Sequence, residues 1–455
     1  MRLPAVFLAL AMGASAAVGA AQDARAAGRI SLIRDSEIEN TIHTFAAPLL
    51  RAADLDPTAL KVHLVKDSSL NAFVTHGMNL FLHTGLLMRA EDPTEVIGVM
   101  AHEFGHIVGG HVILREQQIE ATQKNLWLSY LAGAAAALAT GRGDAFGGVA
   151  LGVQSAMVEN LMAFSRSEES QADQSATEFM DKVGISCAGL LKFMRILENQ
   201  ELLVTARQDP YLRTHPLTRD RVAFIENHVK TAGIPADSAP EAWKIAYARL
   251  RAKLFGFLES PARTLQRYPE TDASIPGRYG RAIALYRQAD TDAAVKMIDG
   301  LLKDIPGDAY FLELKGQVLF EAGDIEDSIP PYRASVRASP HDAPLQLGLA
   351  RALIARGATS DLKEAEKALE QALRDEPETP SYWKQLAIAR GRGGEEAAAS
   401  YAMAEYALRT GRNAEARFHA DKALQGLPAG SPARLRAEDI KAEAERLIDI
   451  AKKKK

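Results

Sequence analysis

The last part of the chain repeats with a period of about 34 residues, and this repeat restricts the fold more than any other feature. Pro306 and Pro340 end segments 34 residues apart, and Pro377 follows 37 residues later. Gly323 and Gly357, also 34 apart, stand where a turn would join two helices. Counted back from the prolines, three register positions recur: Ala294, Ser328 and Ala365; Ile298, Tyr332 and Leu369; Leu301, Ser335 and Ala372. The pattern predicts stacked helical hairpins, because each unit buries its apolar face only against its neighbours.

This spacing is typical of tetratricopeptide repeats, which stack into a superhelix whose concave face usually binds a partner segment. Less regular units flank the clear ones, at 241–269 and at 380–428. The alternative is a set of helical hairpins that binds nothing. The run from Lys452 to Lys455 is typical of a solvated tail.

The composition excludes several classes of protein. Of the 455 residues, 47% are hydrophobic and 25% are charged, which is typical of a globular chain. A net charge of -4 argues against a protein that binds nucleic acid through a general electrostatic footprint. The single cysteine, Cys187, excludes an internal disulfide and a zinc cluster built from cysteines.

The N-terminus has the layout of a signal peptide. Arg2 supplies a positive charge, residues 3–18 are apolar, and small residues offer cleavage after Ala20, Ala21 or Ala26. The apolar run is shorter than the roughly 20 residues of a spanning helix, so a membrane anchor is the weaker alternative. We expect an exported, periplasmic protein. Gly233, Pro235 and Pro240 mark a linker, and the expected domains are 1–26 (signal peptide), 27–235 and 236–455 (repeats).

The first domain mixes helical and strand patterns. Residues 61–65 and 71–82 carry β-branched and aromatic residues with partial alternation, which predicts two short strands. His76-Gly77 indicates a turn or bulge within the second. Asp92, Pro93 and Glu95 predict a capped helix start. The expected fold class is therefore mainly α, an α+β domain with a small sheet followed by an α-solenoid.

An apolar, Ala-rich stretch covers residues 126–164, with glycines between 141 and 148. Each half is too short to cross a bilayer upright. Three interpretations remain open: a pair of core helices, a lid over a cleft, or a surface that touches lipid at the periphery of a membrane.

The most specific signal for chemistry is the sequence His102-Glu103-Phe104-Gly105-His106. On a helix, His102 and His106 project from one face and can bind one ion, while Glu103 can reach a water beside it. Zinc suits two imidazoles, a carboxylate and an open fourth position. The alternative is a surface helix with incidental histidines.

The class of enzyme depends on the third ligand. A metzincin would place a histidine six residues after His106, but His111 is one place short, so we interpret it as supporting or structural. Glu169 and Asp173 are four residues apart and share a helix face. Glu169 can bind the metal while Asp173 accepts the outer N–H of a zinc histidine. Glu168 points away from that face.

The His102–His106 motif and the S-R-x-x-E-x-x-A-D run from Ser165 to Asp173 together resemble metallopeptidase family forty-eight. This family includes the CaaX prenyl proteases and periplasmic proteases with a tetratricopeptide tail. The resemblance covers about residues 30–235 and implies a gluzincin-type zinc protease domain. Further matching segments are Asn71–Phe73, Gly85–Leu87, Thr214–Pro216 and Arg221.

The resemblance implies roles for residues outside the zinc triad. His215 would occupy the fourth zinc position and hold the enzyme latent, and Arg221 would line the cleft. The expected substrates are unfolded or misfolded proteins, and the repeats would dock on an outer-membrane assembly machine. A substrate backbone would pair with an edge strand formed by Asn79, Leu80, Phe81 and Leu82.

The expected reaction is metal-assisted peptide hydrolysis in quality control or assembly of outer-membrane proteins. His102, His106 and Glu169 would hold one Zn²⁺, and Glu103 would move the proton from water to the leaving amine. Arg221 is a candidate for stabilising the tetrahedral intermediate. Two alternatives remain: a chaperone or adaptor with catalysis secondary, and a membrane-embedded protease.

Overall fold

The computed structural model describes residues 31–115, 117, 165–201 and 210–453. The expectations for the signal peptide at 1–26 and for the apolar stretch at 126–164 fall outside these residues. Within the described ranges, no helix combines the length and apolar character needed to cross a membrane. The chain forms two compact units. One contains the residues up to Arg34 and Glu39–Tyr247, and the other contains Asp35–Ile38 and the residues from Ala248 onward.

The first unit contains a four-stranded sheet in the order β1-β2-β4-β3. The pairs β1/β2 and β3/β4 are antiparallel, whereas β2 and β4 are parallel. The predicted strand at 61–65 is confirmed. The predicted strand at 71–82 is a hairpin instead, because the chain turns at Gly77 and Met78, which have φ of 80° and 59°. The strands are β1 (Leu32–Ile33), β2 (Lys61–Val65), β3 (Ala72–Thr75) and β4 (Asn79–His83).

The expectation that Asn79, Leu80, Phe81 and Leu82 form the edge strand for substrate is wrong. These residues belong to β4, which pairs on one side with β2 and on the other with β3. Both edges of β4 are therefore engaged by backbone hydrogen bonds. Within the described part of the chain no strand pairs with the outer edge of β3, and β3 packs against the helix that carries the histidine motif.

That helix, α3, begins as the sequence predicts. The Asp92 side chain accepts a hydrogen bond from the Thr94 amide at 2.9 Å, and the Glu95 side chain accepts one from the Asp92 amide at 3.1 Å, completing a capping box. Pro93 occupies the first helical position. The helices in this part of the chain are α1 (Ser36–Ala52), α2 (Thr84–Arg89), α3 (Pro93–Val108), α4 (Arg166–Val183), α5 (Ala188–Glu201), α6 (Pro210–Thr214), α7 (Arg219–Thr231) and α8 (Glu241–Leu258).

The second unit is a series of paired helices. The residues at the three repeating register positions predicted above are all at most 5% exposed. Gly323 and Gly357 follow their helices in the left-handed conformation, with φ of 94° and 77°, and so end them. The helices are α9 (Pro261–Arg267), α10 (Ile275–Arg287), α11 (Thr291–Asp304), α12 (Ala309–Ala322), α13 (Ile325–Ala338), α14 (Ala343–Arg356), α15 (Thr359–Asp375), α16 (Pro380–Arg392), α17 (Glu396–Arg409), α18 (Asn413–Leu424) and α19 (Pro432–Lys453). The predicted fold class is confirmed.

Candidate metal centre

Helices α3 and α4 approach each other closely at Gly105. A Cβ atom at this position would lie 2.8 Å from the backbone oxygen and 2.9 Å from the Cα atom of Ala172. Only glycine allows this approach without a shift of backbone. The contact sets the two histidines of α3 opposite the two acids of α4.

Four ligand atoms meet at this contact. They come from His102, His106, Glu169 and His215, and all lie within 4.8 Å of one another. His102 Nε2 is 3.2 Å from His106 Nε2 and 3.4 Å from Glu169 Oε2. His215 Nδ1 lies 3.0 Å from Glu169 Oε1. The expected triad is therefore brought together, with His215 beside it, and none of the four is more than 1% exposed.

The outer nitrogen of His102 faces an acid, as expected from the spacing of Glu169 and Asp173. His102 Nδ1 lies 2.9 Å from Asp173 Oδ1. Burial by itself would lower the pKa of His102, but the hydrogen bonds of Asp173 and Glu169 raise it to about 9. Burial would raise the pKa of Glu169, but the neighbouring histidines hold it well below its usual value. The centre therefore favours an ionised carboxylate.

Glu103 lies beside the ligand cluster. It is fully buried, and neither of its carboxylate oxygens accepts a hydrogen bond from the described residues. His215 Nε2 is 3.5 Å from Glu103 Oε1. Burial raises the pKa of Glu103. Buried acceptors of this kind ordinarily have a partner, so these two oxygens and the nitrogen–oxygen donor set fit a divalent metal accompanied by water.

Arg221 lies against the acids of α4. Its Nε and one terminal nitrogen donate to Asp173 at 2.6 and 2.9 Å, and the other is 2.5 Å from Glu169 Oε2. It also donates to the backbone oxygen of Pro216, at 2.9 Å. The expectation that Arg221 lines the cleft and stabilises an intermediate is not supported, because its side chain is 4% exposed and is hydrogen-bonded within the protein.

Tyr211 also contributes to the centre, and the sequence did not single it out. The ring of His215 stacks on Tyr211, with centroids 4.4 Å apart. His111, interpreted from the sequence as supporting or structural, has its Nδ1 3.0 Å from His106 Nδ1. The Gly109-Gly110 pair after the motif is the signal that could have predicted this return of the chain. Glu168 does point away from the centre and caps α4, where its Oε2 accepts from the Ser165 amide at 2.8 Å.

Comparison with protein families gives two kinds of match. Residues 33–229 match the model of peptidase family M48. Residues 279–343 and 319–390 match two tetratricopeptide repeat models. The first match contains every residue of the cluster described above.

Two individual relatives are similar over most of the chain, and a third over less than half of it. The chain is 23% identical to a beta-barrel assembly-enhancing protease of Yersinia pestis, over 80% of this chain and 74% of the relative. It is 24% identical to a putative beta-barrel assembly-enhancing protease of Vibrio cholerae, over 92% of this chain and 87% of the relative. The metalloprotease LoiP of Escherichia coli is 27% identical over 44% of this chain and 74% of its own length. The chain is thus a metalloprotease, with a peptidase family M48 domain followed by tetratricopeptide repeats.

Proposed function

We propose that the protein is an exported zinc endopeptidase that cleaves unfolded or misfolded proteins during assembly of the outer membrane. The observation that carries this proposal is the convergence of His102, His106 and Glu169 around one point, with Glu103 buried beside them. Two relatives are beta-barrel assembly-enhancing proteases by name, which supports the assembly role, and the predicted signal peptide supports a periplasmic location.

The donor set favours zinc among the divalent metals. Two imidazoles and one carboxylate match the protein ligands of catalytic zinc sites. The chemistry that zinc supplies in such a set is the activation of water and the polarisation of a scissile carbonyl. Asp173 favours the tautomer of His102 whose Nε2 faces the cluster, because its Oδ1 lies 2.9 Å from Nδ1 and a carboxylate there favours a proton on that nitrogen.

Glu103 is assigned the proton transfers. The raised pKa of Glu103 makes it a stronger base than an exposed glutamate. Neither of its oxygens accepts a hydrogen bond from the described residues. It therefore takes a proton from the attacking water and delivers it to the leaving amine. Arg221 acts on Glu169 and Asp173, holding both carboxylates in place.

The free edge of β3 is the proposed place for the substrate backbone. Among the described residues no further strand pairs with Ala72–Thr75 along that edge, and β3 packs against α3. An extended segment can add there as a further strand. This mode of binding requires an unfolded stretch of substrate, which agrees with a protease for misfolded chains.

Two further parts complete the proposal. His215 adds a fourth ligand to the cluster, and a site with four protein ligands has no open position for water, so we assign His215 a latency role.

The repeats supply the surface that docks on the outer-membrane assembly machinery, since stacked repeats of this kind bind partner segments along their concave face.

The decisive test replaces the proposed base. Glu103→Gln should retain one zinc per chain, measured by metal analysis after preparation without chelators, and lose at least about 100-fold in cleavage of an unfolded protein. The same change should be made in a His215→Ala background, so that latency does not hide the effect. The control is Glu178→Gln, an exposed glutamate of α4. Undiminished cleavage by the Glu103 variant, or a wild type without stoichiometric zinc, would contradict the proposal.

A further inference from the structure

The chain folds back directly after the metal-binding helix. Helix α3 ends at Val108, Gly110 has a φ of 70°, and residues 111–115 are helical again. On an uninterrupted helix, a side chain five residues after His106 would be rotated about 140° away from it. Because the helix breaks, His111 returns to the centre, and its ring is 3% exposed.

Gly109 leaves the space that the returning ring fills. A Cβ atom at this position would lie 2.6 Å from both Cε1 and Nε2 of His111. Any other residue at 109 therefore displaces the imidazole. The two glycines therefore have different roles. Gly110 adopts the positive φ of the turn, and Gly109, which has no Cβ atom, leaves space for the His111 ring.

The contacts determine where the protons lie. His106 Nε2 faces the cluster, 3.2 Å from His102 Nε2 and 3.5 Å from Glu169 Oε1. When Nε2 binds a metal, the proton of His106 is on Nδ1, which donates to His111 Nδ1 at 3.0 Å. His111 then carries its own proton on Nε2 and donates it to Gln171 Oε1 at 3.1 Å. One arrangement of protons satisfies all three side chains.

Both metal-binding histidines are thereby tied to helix α4. His102 reaches it directly through Asp173, and His106 reaches it through His111 and Gln171. The same helix carries Glu169. These contacts therefore link the position of the His106 imidazole to α4, the helix that supplies the carboxylate ligand.

We propose that His111 is a positioning residue, and that the His106–His111–Gln171 relay fixes the tautomer and ring orientation of His106 for metal binding. This inference rests on the proposed function, since it concerns the same metal. Partners of this kind typically change metal affinity by about 10–100-fold when they are removed.

The test measures zinc affinity rather than turnover. The dissociation constant is determined by competition with a chromophoric chelator for the wild type and for His111→Leu, His111→Asn and Gly109→Ala. His111→Leu removes the acceptor, and Gly109→Ala displaces the ring while keeping it, so both should bind zinc about 10–100-fold more weakly. His111→Asn places an oxygen where Nδ1 was and should restore affinity to within about threefold.

Two controls separate the relay from simple damage to the fold. Gln171→Leu should weaken zinc binding, whereas Gln174→Leu, at an exposed position of the same helix, should not. The absorption spectrum of the cobalt-substituted protein should shift in His111→Leu and return to that of the wild type in His111→Asn.

Unchanged zinc affinity in both His111→Leu and Gly109→Ala would overturn the relay and leave the proposed function intact. A wild type that binds no zinc would instead refute the proposed function.

Discussion

The charged residues of the centre are arranged in complementary pairs. Arg221 contacts Glu169 and Asp173, and Asp173 contacts His102. The four-residue spacings in the sequence predict which of these side chains share a helix face, because that depends only on helix geometry. The choice of Arg221 as the partner of the acids depends on how α7 packs, which the sequence does not reveal.

The latency role proposed for His215 can be tested by removing its side chain. His215→Ala should raise the cleavage rate of an unfolded protein about tenfold or more, because it opens the fourth position around the metal to water. The same variant should also bind zinc more weakly, because one nitrogen ligand of the metal is lost. Cleavage is followed with a fluorescent unfolded substrate, and zinc with a chelator.

The matched control is His228→Ala, a histidine of α7 that bonds to Asp181 and lies outside the centre. It should change neither quantity. A His215→Ala variant that holds zinc and cleaves no faster than the wild type would show that His215 does not block the enzyme at rest.

At the scale of elements, the centre depends on the distance between α3 and α4. Gly105→Ala would force a Cβ atom against the backbone of Ala172, so the helices must separate. We expect a loss of about 1–3 kcal/mol in the free energy of unfolding and zinc binding at least about tenfold weaker. Thermal unfolding and chelator competition measure the two effects.

The control for this change is Gly300→Ala in α11. A Cβ atom at Gly300 would meet nothing within 4 Å. Alanine is a better helix former than glycine, so this variant should gain about 0.5–1 kcal/mol. If Gly105→Ala binds zinc as the wild type does, the close approach is not what sets the geometry of the centre.

The sheet shows where local patterns stop being informative. Alternating residues predict that strands exist, but strand order depends on pairing between distant segments. The sequence contains a turn signal at His76-Gly77, and the turn makes β3 and β4 separate strands. The position of β4 between β2 and β3 follows from tertiary pairing. The predicted edge strand Asn79–Leu82 is therefore internal, and β3 (Ala72–Thr75) is an edge strand of the sheet that the described residues form.

For the whole molecule, the repeats are the best-predicted part. Each helix pair contacts mainly its neighbours, so the register read from the sequence carries directly into the packed structure. What the register does not predict is the set of charges enclosed in the second unit. There Lys253 lies 2.7 Å from Asp35 and 3.2 Å from Glu37.

Glu313 belongs to the same group of charges. Burial and the negative charges of Asp35 and Glu37 raise its pKa to about 7, against the opposing charge of Lys253. Because the pKa in the folded protein is raised, the folded state favours the neutral carboxyl. The stability that this group contributes is present below about pH 4.5 and is lost as the pH rises through about 7.

Replacing Glu313 with glutamine removes this ionisation. Glu313→Gln should therefore stabilise the protein by about 1–3 kcal/mol at pH 8 and by much less at pH 5, because the wild-type carboxyl is mostly neutral in the folded state at the lower pH. Thermal unfolding at the two pH values measures the difference, with Glu270→Gln as an exposed control. An equal effect at both pH values would mean that the ionisation of Glu313 does not oppose folding of the repeats.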